Sequence, residues 1–76
     1  MKEIIYDNGD FKIYKINSCF WVRYDAGAHQ VEMREDEISE SEAKSMMDSE
    51  ANATEVLFAI QKRLKAAGVN PYKTNI

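Results

Sequence analysis

The stretch Ile4–Tyr14, IIYDNGDFKIY, determines how the first half of the chain folds. Two apolar runs flank Asn8-Gly9, a pair that favours a tight β-hairpin because both residues tolerate positive φ angles. After the turn, Phe11 and Ile13 alternate with residues of the opposite face, which is the period of a β-strand. We therefore predict two antiparallel strands that are joined at Asn8-Gly9.

Two more strands are predicted after the hairpin. Residues 19–24, CFWVRY, are apolar on both faces and rich in aromatic and β-branched residues, which is typical of a central strand. Residues 30–35, QVEMRE, alternate between apolar and polar, and this pattern places Val31 and Met33 on the buried face. With these segments the sheet has three or four strands in meander order.

The periodicity becomes helical near Ser39. Ser39 and Glu42 match a capping box, in which each side chain satisfies a free backbone amide of the other residue. A second helix start lies in Asn52–Glu55, with either Asn52 or Thr54 as the cap. One continuous helix of about 28 residues would be about 42 Å long, which is more than a small sheet can cover, so we favour two helices.

The second helix has an apolar stripe and a marked end. Gly68 suits the left-handed position that follows a helix, and Pro71 prevents the helix from continuing. We expect residues 70–76 to be loosely held. The core-facing stripe repeats at i, i+3 and i+4 and consists of Val56, Leu57, Ile60, Leu64 and Ala67.

These elements predict an α+β fold in one domain that spans residues 1–76. Strands are expected within residues 3–35 and helices within residues 40–67, and the one or two C-terminal helices pack on one face of the antiparallel sheet. Leu, Ile, Val and Phe supply only 16 of the 76 residues, which is just above the level at which disorder becomes the default. The chain is therefore expected to fold with little stability to spare.

The residue types do not predict an enzyme. Cys19 and His29 are the only nucleophile and base of suitable types, and no third residue is evident to orient the base. The same two residues are too few for a zinc site. The three glycines lie in separate turns rather than in one phosphate-binding loop. We predict no catalytic residue, no cofactor and no metal.

The expected location is the cytoplasm. The first residues lack the long apolar core of a signal peptide. No apolar run approaches the length that spans a membrane. One cysteine alone cannot form an internal disulfide.

The charged residues are segregated along the chain. The net charge is -3, yet residues 36–55 carry seven carboxylates against one lysine, and residues 56–76 carry four basic side chains and no acidic one. An acidic middle segment repels nucleic acid, which disfavours direct binding of DNA or RNA. It can instead steer the protein toward a basic surface. The candidate partner-binding carboxylates are Glu37, Glu40, Glu42, Asp48 and Glu50.

Aromatic residues supply a second candidate surface. If the helices cover the sheet face that carries Val22, the opposite face leaves Tyr14, Trp21 and Arg23 in the open, with Tyr6 as a further member. Aromatic and arginine side chains dominate the binding energy of many interfaces. In the alternative interpretations, cross-strand aromatic pairs only stabilise the sheet, or the helices cover this face instead.

Phe58 is a third candidate. It lies well away from the apolar stripe of the second helix, beside Lys62 and Lys65, which indicates a contact outside the domain. The residue equally suits packing over a sheet edge or on the first helix.

In size, acidity and fold style the whole chain resembles the small accessory proteins that bacteriophages and mobile elements encode against host defences, such as anti-CRISPR proteins. No motif carries this resemblance. It implies a non-enzymatic inhibitor in the host cytoplasm that binds a large protein or nucleoprotein complex and blocks its nucleic-acid binding or cleavage. The acidic residues 36–55 would suit that role.

Two other functions stay open. A small nucleic-acid-binding module would use Trp21, Tyr14, Lys12 and Arg23 as a stacking platform. A self-associating structural or regulatory module would use Phe58 or the aromatic sheet face as a homodimer contact. The sequence leaves the partner's identity, the oligomeric state and the choice between inhibition and recruitment undecided.

Overall fold

A computed structural model describes residues 2–27 and 30–76. The predicted α+β fold is confirmed, with four strands in the antiparallel order β1-β2-β3-β4 and two C-terminal helices. His29, the base that was considered together with Cys19, is outside the described residues. The strands and helices are β1 (Lys2–Asp7), β2 (Phe11–Ile16), β3 (Cys19–Asp25), β4 (Met33–Ile38), α1 (Glu40–Asp48) and α2 (Glu50–Ala66).

The β1-β2 hairpin forms at Asn8-Gly9 as predicted, but of this pair only Gly9 takes a positive φ angle. Gly9 has a φ angle of 91°, which lies in the left-handed region. The Asn8 side-chain oxygen accepts hydrogen bonds from the backbone amides of Asp10 and Phe11, at 2.9 and 3.0 Å. The Asp7 carboxylate accepts one from the amide of Gly9 at 2.9 Å. Side chains of the turn therefore replace most of the backbone bonds that a tight turn would otherwise need.

The helices cover the sheet face that carries Val22, as one of the two alternatives required. Ile13 and Val22 are directly paired across β2 and β3, and both are completely buried. They pack in one cluster with Met46 of α1 and Ile60 of α2. Burying such side chains contributes roughly 1.5–3 kcal/mol each, so this small layer supplies most of the stability of the fold.

The predicted burial pattern of the fourth strand is wrong. Val31 precedes β4 and is 71% exposed, whereas Arg34, which was assigned to the polar face, is only 3% exposed. The strand begins at Met33, and Ile38 is its buried apolar residue. Simple alternation failed because a charged residue occupies an inward-facing position, which is favourable only when the charge is paired.

Arg34 is paired in a buried network. Its guanidinium donates to both carboxylate oxygens of Asp36, at 3.0 and 3.1 Å, and Tyr24 donates its hydroxyl to the same carboxylate at 2.7 Å. Burial, followed by the hydrogen bond to Asp36, raises the pKa of Tyr24 well above its usual value. Asp36 is thus an internal structural residue and does not belong to the solvated acidic surface.

Both helices begin at serine caps. The capping box of Ser39 and Glu42 is present with both of its hydrogen bonds. The preference for two helices is confirmed, but the predicted caps of the second helix are wrong, because Ser49 ends α1 and caps α2. Its hydroxyl accepts from the amide of Asn52 at 3.1 Å. A single extended residue thereby folds the helices back on each other. In residues 2–27 and 30–76 no helix is long and apolar enough to cross a membrane.

The C-terminal tail, residues 70–76, is hydrogen-bonded to β4. After α2, Gly68 takes a φ angle of 78°, and the amide of Val69 donates to the carbonyl of Leu64 at 2.8 Å, as in a Schellman motif. The chain then runs beside β4. There, Arg34 donates to the carbonyl of Lys73 at 2.6 Å.

We predict that Asp36→Ala lowers the free energy of unfolding by about 3–5 kcal/mol, because it leaves the Arg34 charge buried and unpaired. Urea unfolding would measure the loss. The control is Glu40→Ala, which breaks an exposed ion pair with Lys44 and should cost less than about 1 kcal/mol. Equal losses in the two variants would contradict the prediction.

We also predict that Ser49→Ala lowers the free energy of unfolding by about 1 kcal/mol, because the first turn of α2 loses its side-chain acceptor. Thr54→Ala, at one of the caps predicted from the sequence, should leave stability unchanged or slightly higher, since alanine is the better helix former. Thermal unfolding of both variants measures the difference. A greater loss for Thr54→Ala than for Ser49→Ala would contradict the assignment of Ser49 as the cap of α2.

Candidate functional site

The sheet face opposite the helices, called the open sheet face here, carries four of the predicted site residues, which are Tyr14, Trp21, Arg23 and Glu37. Tyr14 and Trp21 are direct cross-strand partners, and Trp21 is paired in turn with Glu37 of β4. Arg23 lies two positions along β3 from Trp21, with its partners Lys12 on β2 and Glu35 on β4. The sequence therefore placed Trp21, Tyr14 and Arg23 on the correct face.

Tyr14 is not exposed on that face, contrary to the prediction. It is only 4% exposed, because the ammonium group of Lys2 lies 4.1 Å from the centre of its ring. Lys2 also reaches Glu35 at 3.8 Å and so bridges from β1 to β4 across the intervening strands. The placement of Tyr6 was wrong as well, since its ring packs 5.6 Å from that of Phe11 beside the core.

Arg23 lines a cleft at one end of the open sheet face. The cleft has a volume of about 370 Å³ and is also lined by Lys12, Asp10 and Met33. Lys12 is 3.9 Å from Asp7, so its charge is partly compensated. The cleft therefore combines cationic and anionic side chains and does not form a uniformly basic surface.

Cys19 and Glu37 lie together at the other end of the open sheet face. Cys19 is exposed. A hydrogen bond with the Glu37 carboxylate, and then the negative charge of that carboxylate, raise the pKa of the Cys19 thiol. The thiol consequently carries less of the reactive thiolate at neutral pH than a free cysteine does.

The acidic segment does not form one surface. Glu37 is on the open sheet face, whereas the other candidate carboxylates lie on the helices. Glu40 is 3.4 Å from Lys44, and Glu42 accepts from Arg63 at 2.8 Å, which joins the first turn of α1 to the last turn of α2.

Glu42 is held as an anion by its partners. Burial would raise its pKa, but the backbone amide of Ser39 and the guanidinium of Arg63 together lower the pKa below the usual range. The charge of Glu42 is paired with Arg63 within the fold. Glu42 therefore contributes to the contact between the two helices more than to an external surface.

The carboxylates around the α1-α2 junction are the most available ones. Asp48, Glu50 and Glu55 are exposed, and none of them forms an ion pair with a described residue. We call these three residues the acidic corner. Of the basic side chains on the helices, Lys44 and Arg63 pair with other carboxylates, and Lys62 lies about two turns after Glu55 on α2.

A recess adjoins the acidic corner. It has a volume of about 240 Å³ and lies between the β1-β2 turn and the start of α2. Phe11, Ala53 and Leu57 supply its apolar lining, and Asp10 and Glu50 supply carboxylates. No local pattern predicts a role for Asp10 at this recess, because nothing in the nearby sequence shows that the turn meets α2.

Phe58 is exposed, as one of its two interpretations required. It is 58% exposed and follows Thr54, which lines the recess, by four residues. Residues four apart are neighbours on a helix surface, so Phe58 extends the side of α2 that borders the recess. A large aromatic side chain thus stands next to the acidic corner.

A metal-binding cluster is not found in the part of the chain that the structure describes. Among residues 2–27 and 30–76, no three His, Cys, Asp or Glu side chains are placed to hold a metal ion. Comparisons with protein-family models, curated proteins and solved structures found no match. Interpretation of the site therefore rests on the residues themselves.

We predict that Glu37→Gln increases the rate at which iodoacetamide alkylates Cys19 at pH 8, because the change removes the carboxylate that raises the pKa of the thiol. Mass spectrometry of the intact protein would follow the reaction. Glu35→Gln, on the same strand, is the control and should leave the rate unchanged. An unchanged alkylation rate in Glu37→Gln would show that the Glu37 carboxylate does not influence the Cys19 thiol.

Proposed function

We propose that the chain is a small, non-enzymatic inhibitor that binds a basic surface of a larger protein or nucleoprotein complex through the acidic corner. The observation that supports this proposal best is the combination of three exposed, unpaired carboxylates with a recess beside them. Phe58 adds an exposed aromatic contact on the same helix.

The electrostatic part of the proposal follows from the carboxylates that form no ion pair within the described residues. Asp36, Glu40 and Glu42 are neutralised by neighbouring cations, whereas the acidic corner is not. Clustered like charges on a small protein create a potential that attracts a partner of opposite sign and raises the association rate. The acidic corner would therefore steer the initial encounter.

The recess supplies the short-range part. Lysine and arginine side chains combine an apolar stem with a cationic end. In the recess, the stem would lie against Phe11 and Leu57, and the cationic end would meet Asp10 or Glu50. Arginine suits such a site best, because its planar guanidinium matches a carboxylate in a bidentate geometry.

The form of inhibition that we propose is competition with nucleic acid. The carboxylates of the acidic corner can bind the lysines and arginines of the partner that otherwise bind the phosphate backbone of its nucleic acid. This is the way in which anti-CRISPR proteins commonly act on CRISPR effectors, and the resemblance in size and acidity makes such an effector the first target class to test.

Direct nucleic-acid binding is less well supported. A stacking platform needs exposed aromatic faces and a basic groove. Tyr14 is covered by Lys2, and Glu35 and Glu37 are on the same face as Trp21 and Arg23. These carboxylates would repel a phosphate backbone passing across the open sheet face.

The test compares single glutamate-to-glutamine changes at two exposed positions. Glu50→Gln removes a carboxylate of the acidic corner, and Glu3→Gln removes one near the far end of β1 from the turn. Purified CRISPR effector complexes would be assayed for target-DNA binding with increasing amounts of each protein. We expect the unmodified chain and Glu3→Gln to inhibit one of them equally, and Glu50→Gln to be about five-fold weaker, which corresponds to roughly 1 kcal/mol.

The double variant Asp10→Asn, Glu50→Gln would then weaken inhibition further, to about ten-fold or more, if both carboxylates contact the same cation. Thermal unfolding of each variant would show that the fold persists. Inhibition that is equally strong in all variants would contradict the role of the acidic corner. Absence of inhibition across the effectors would contradict the target class.

A further inference from the structure

We propose that the edge of β4 that faces away from β3 is a strand-addition site for an extended, basic segment of a partner. In the unbound protein, the chain's own C-terminal tail covers this edge. The inference is independent of the acidic corner, which lies on the helices. It rests on the hydrogen bonds of the tail and on the charges along β4.

The tail occupies the edge through side chains. The amide group of Asn75 accepts from the backbone amide of Glu35 and donates to its carbonyl, both at 2.8 Å. The hydroxyl of Thr74 donates to the carbonyl of Met33 at 2.5 Å. Asn75 thereby copies the pair of bonds that a neighbouring strand would form with Glu35.

The tail covers only part of the edge. The two bonds to Asn75 show that the backbone groups of Glu35 point away from β3, and in a strand the residues two positions away point the same way. Met33 and Glu37 therefore also face the edge. Met33 is bonded to Thr74, whereas no tail residue is hydrogen-bonded to the backbone of Glu37 in the described part of the chain.

Such a cover can be exchanged for a true strand. An added backbone would make the same bonds to Met33 and Glu35 and would continue to Glu37. The tail also has an anchor that does not depend on the edge, since Arg34 donates to the carbonyl of Lys73. Residues 74–76 can therefore leave the edge while the rest of the tail stays in place.

The charges beside the edge specify the chemistry of the partner. Glu35 and Glu37 project on the open sheet face, and Glu32 precedes the strand and accepts from the amide of Thr74 at 3.1 Å. A segment with lysine or arginine at alternate positions would place its cations beside these carboxylates. A second copy of β4 would instead bring glutamates near each other, which disfavours self-pairing through this edge.

The test uses the full chain and two capped seven-residue peptides, one of alternating lysine and valine and one of alternating glutamate and valine. Asn75→Ala releases the edge, and Asn52→Ala, on α2, is the matched control. Calorimetric titration measures peptide affinity, and amide hydrogen exchange at Glu35 reports whether the edge is covered.

We expect Asn75→Ala to expose the Glu35 amide and to bind the lysine peptide at least about ten-fold more tightly than the unmodified chain, because binding no longer competes with the tail. The peptide should restore protection at Glu35. Asn52→Ala should behave like the unmodified chain, and the glutamate peptide should not bind.

Several results would overturn the proposal. These are equal affinity of the lysine peptide for all variants, equal binding of both peptides, or unchanged exchange at Glu35 on binding. If the lysine peptide does not bind Asn75→Ala, the edge of β4 is not a strand-addition site for basic segments and the tail only protects it. Exchange at Val22 monitors the fold, and Thr74→Val provides a second, milder release of the edge if Asn75→Ala is unstable.

Discussion

The buried ion pair between Arg34 and Asp36 is the interaction on which the arrangement of β4 depends. It places a charge where a small core would otherwise take an apolar side chain, and it fixes which residues of the strand face inward. Through Tyr24 the pair is tied to β3, and through the carbonyl of Lys73 it is tied to the tail. A one-residue shift of the strand would move Arg34 and Asp36 together to the open sheet face and turn Glu35 and Glu37 toward the core, where burying carboxylates without partners is costly.

The division between the two sides of the molecule follows from this arrangement. On one side, the helices cover the sheet, and their apolar side chains pack in the core. On the other side, Lys2 and Glu35 close over Tyr14, so that even the open sheet face buries an aromatic ring. Three carboxylates that form no ion pair with a described residue, Asp48, Glu50 and Glu55, lie around the α1-α2 junction, where Ser49 turns the chain.

The fold was predictable because its local signals agree. Asn8-Gly9 specifies the first turn, and the capping box at Ser39 specifies where helices begin. The start of α2 was less predictable, because Asn52 and Thr54 are as good caps as Ser49 by residue type alone. In the structure α1 ends and α2 begins at the same residue, so Ser49 is both the C-terminal cap of α1 and the N-terminal cap of α2.

The sequence by itself determined the α+β class and the meander order, favoured two helices over one, and placed Trp21 and Arg23 together on one face of the sheet. These depend on residues close together in the chain. The number of strands and the face that the helices cover stayed open. Only the tertiary structure decided that Arg34 is buried, that Asp10 meets Glu50 at a recess and that the tail covers β4. Each of these depends on segments far apart in the sequence, and no local pattern records which side chains will meet when the layers pack.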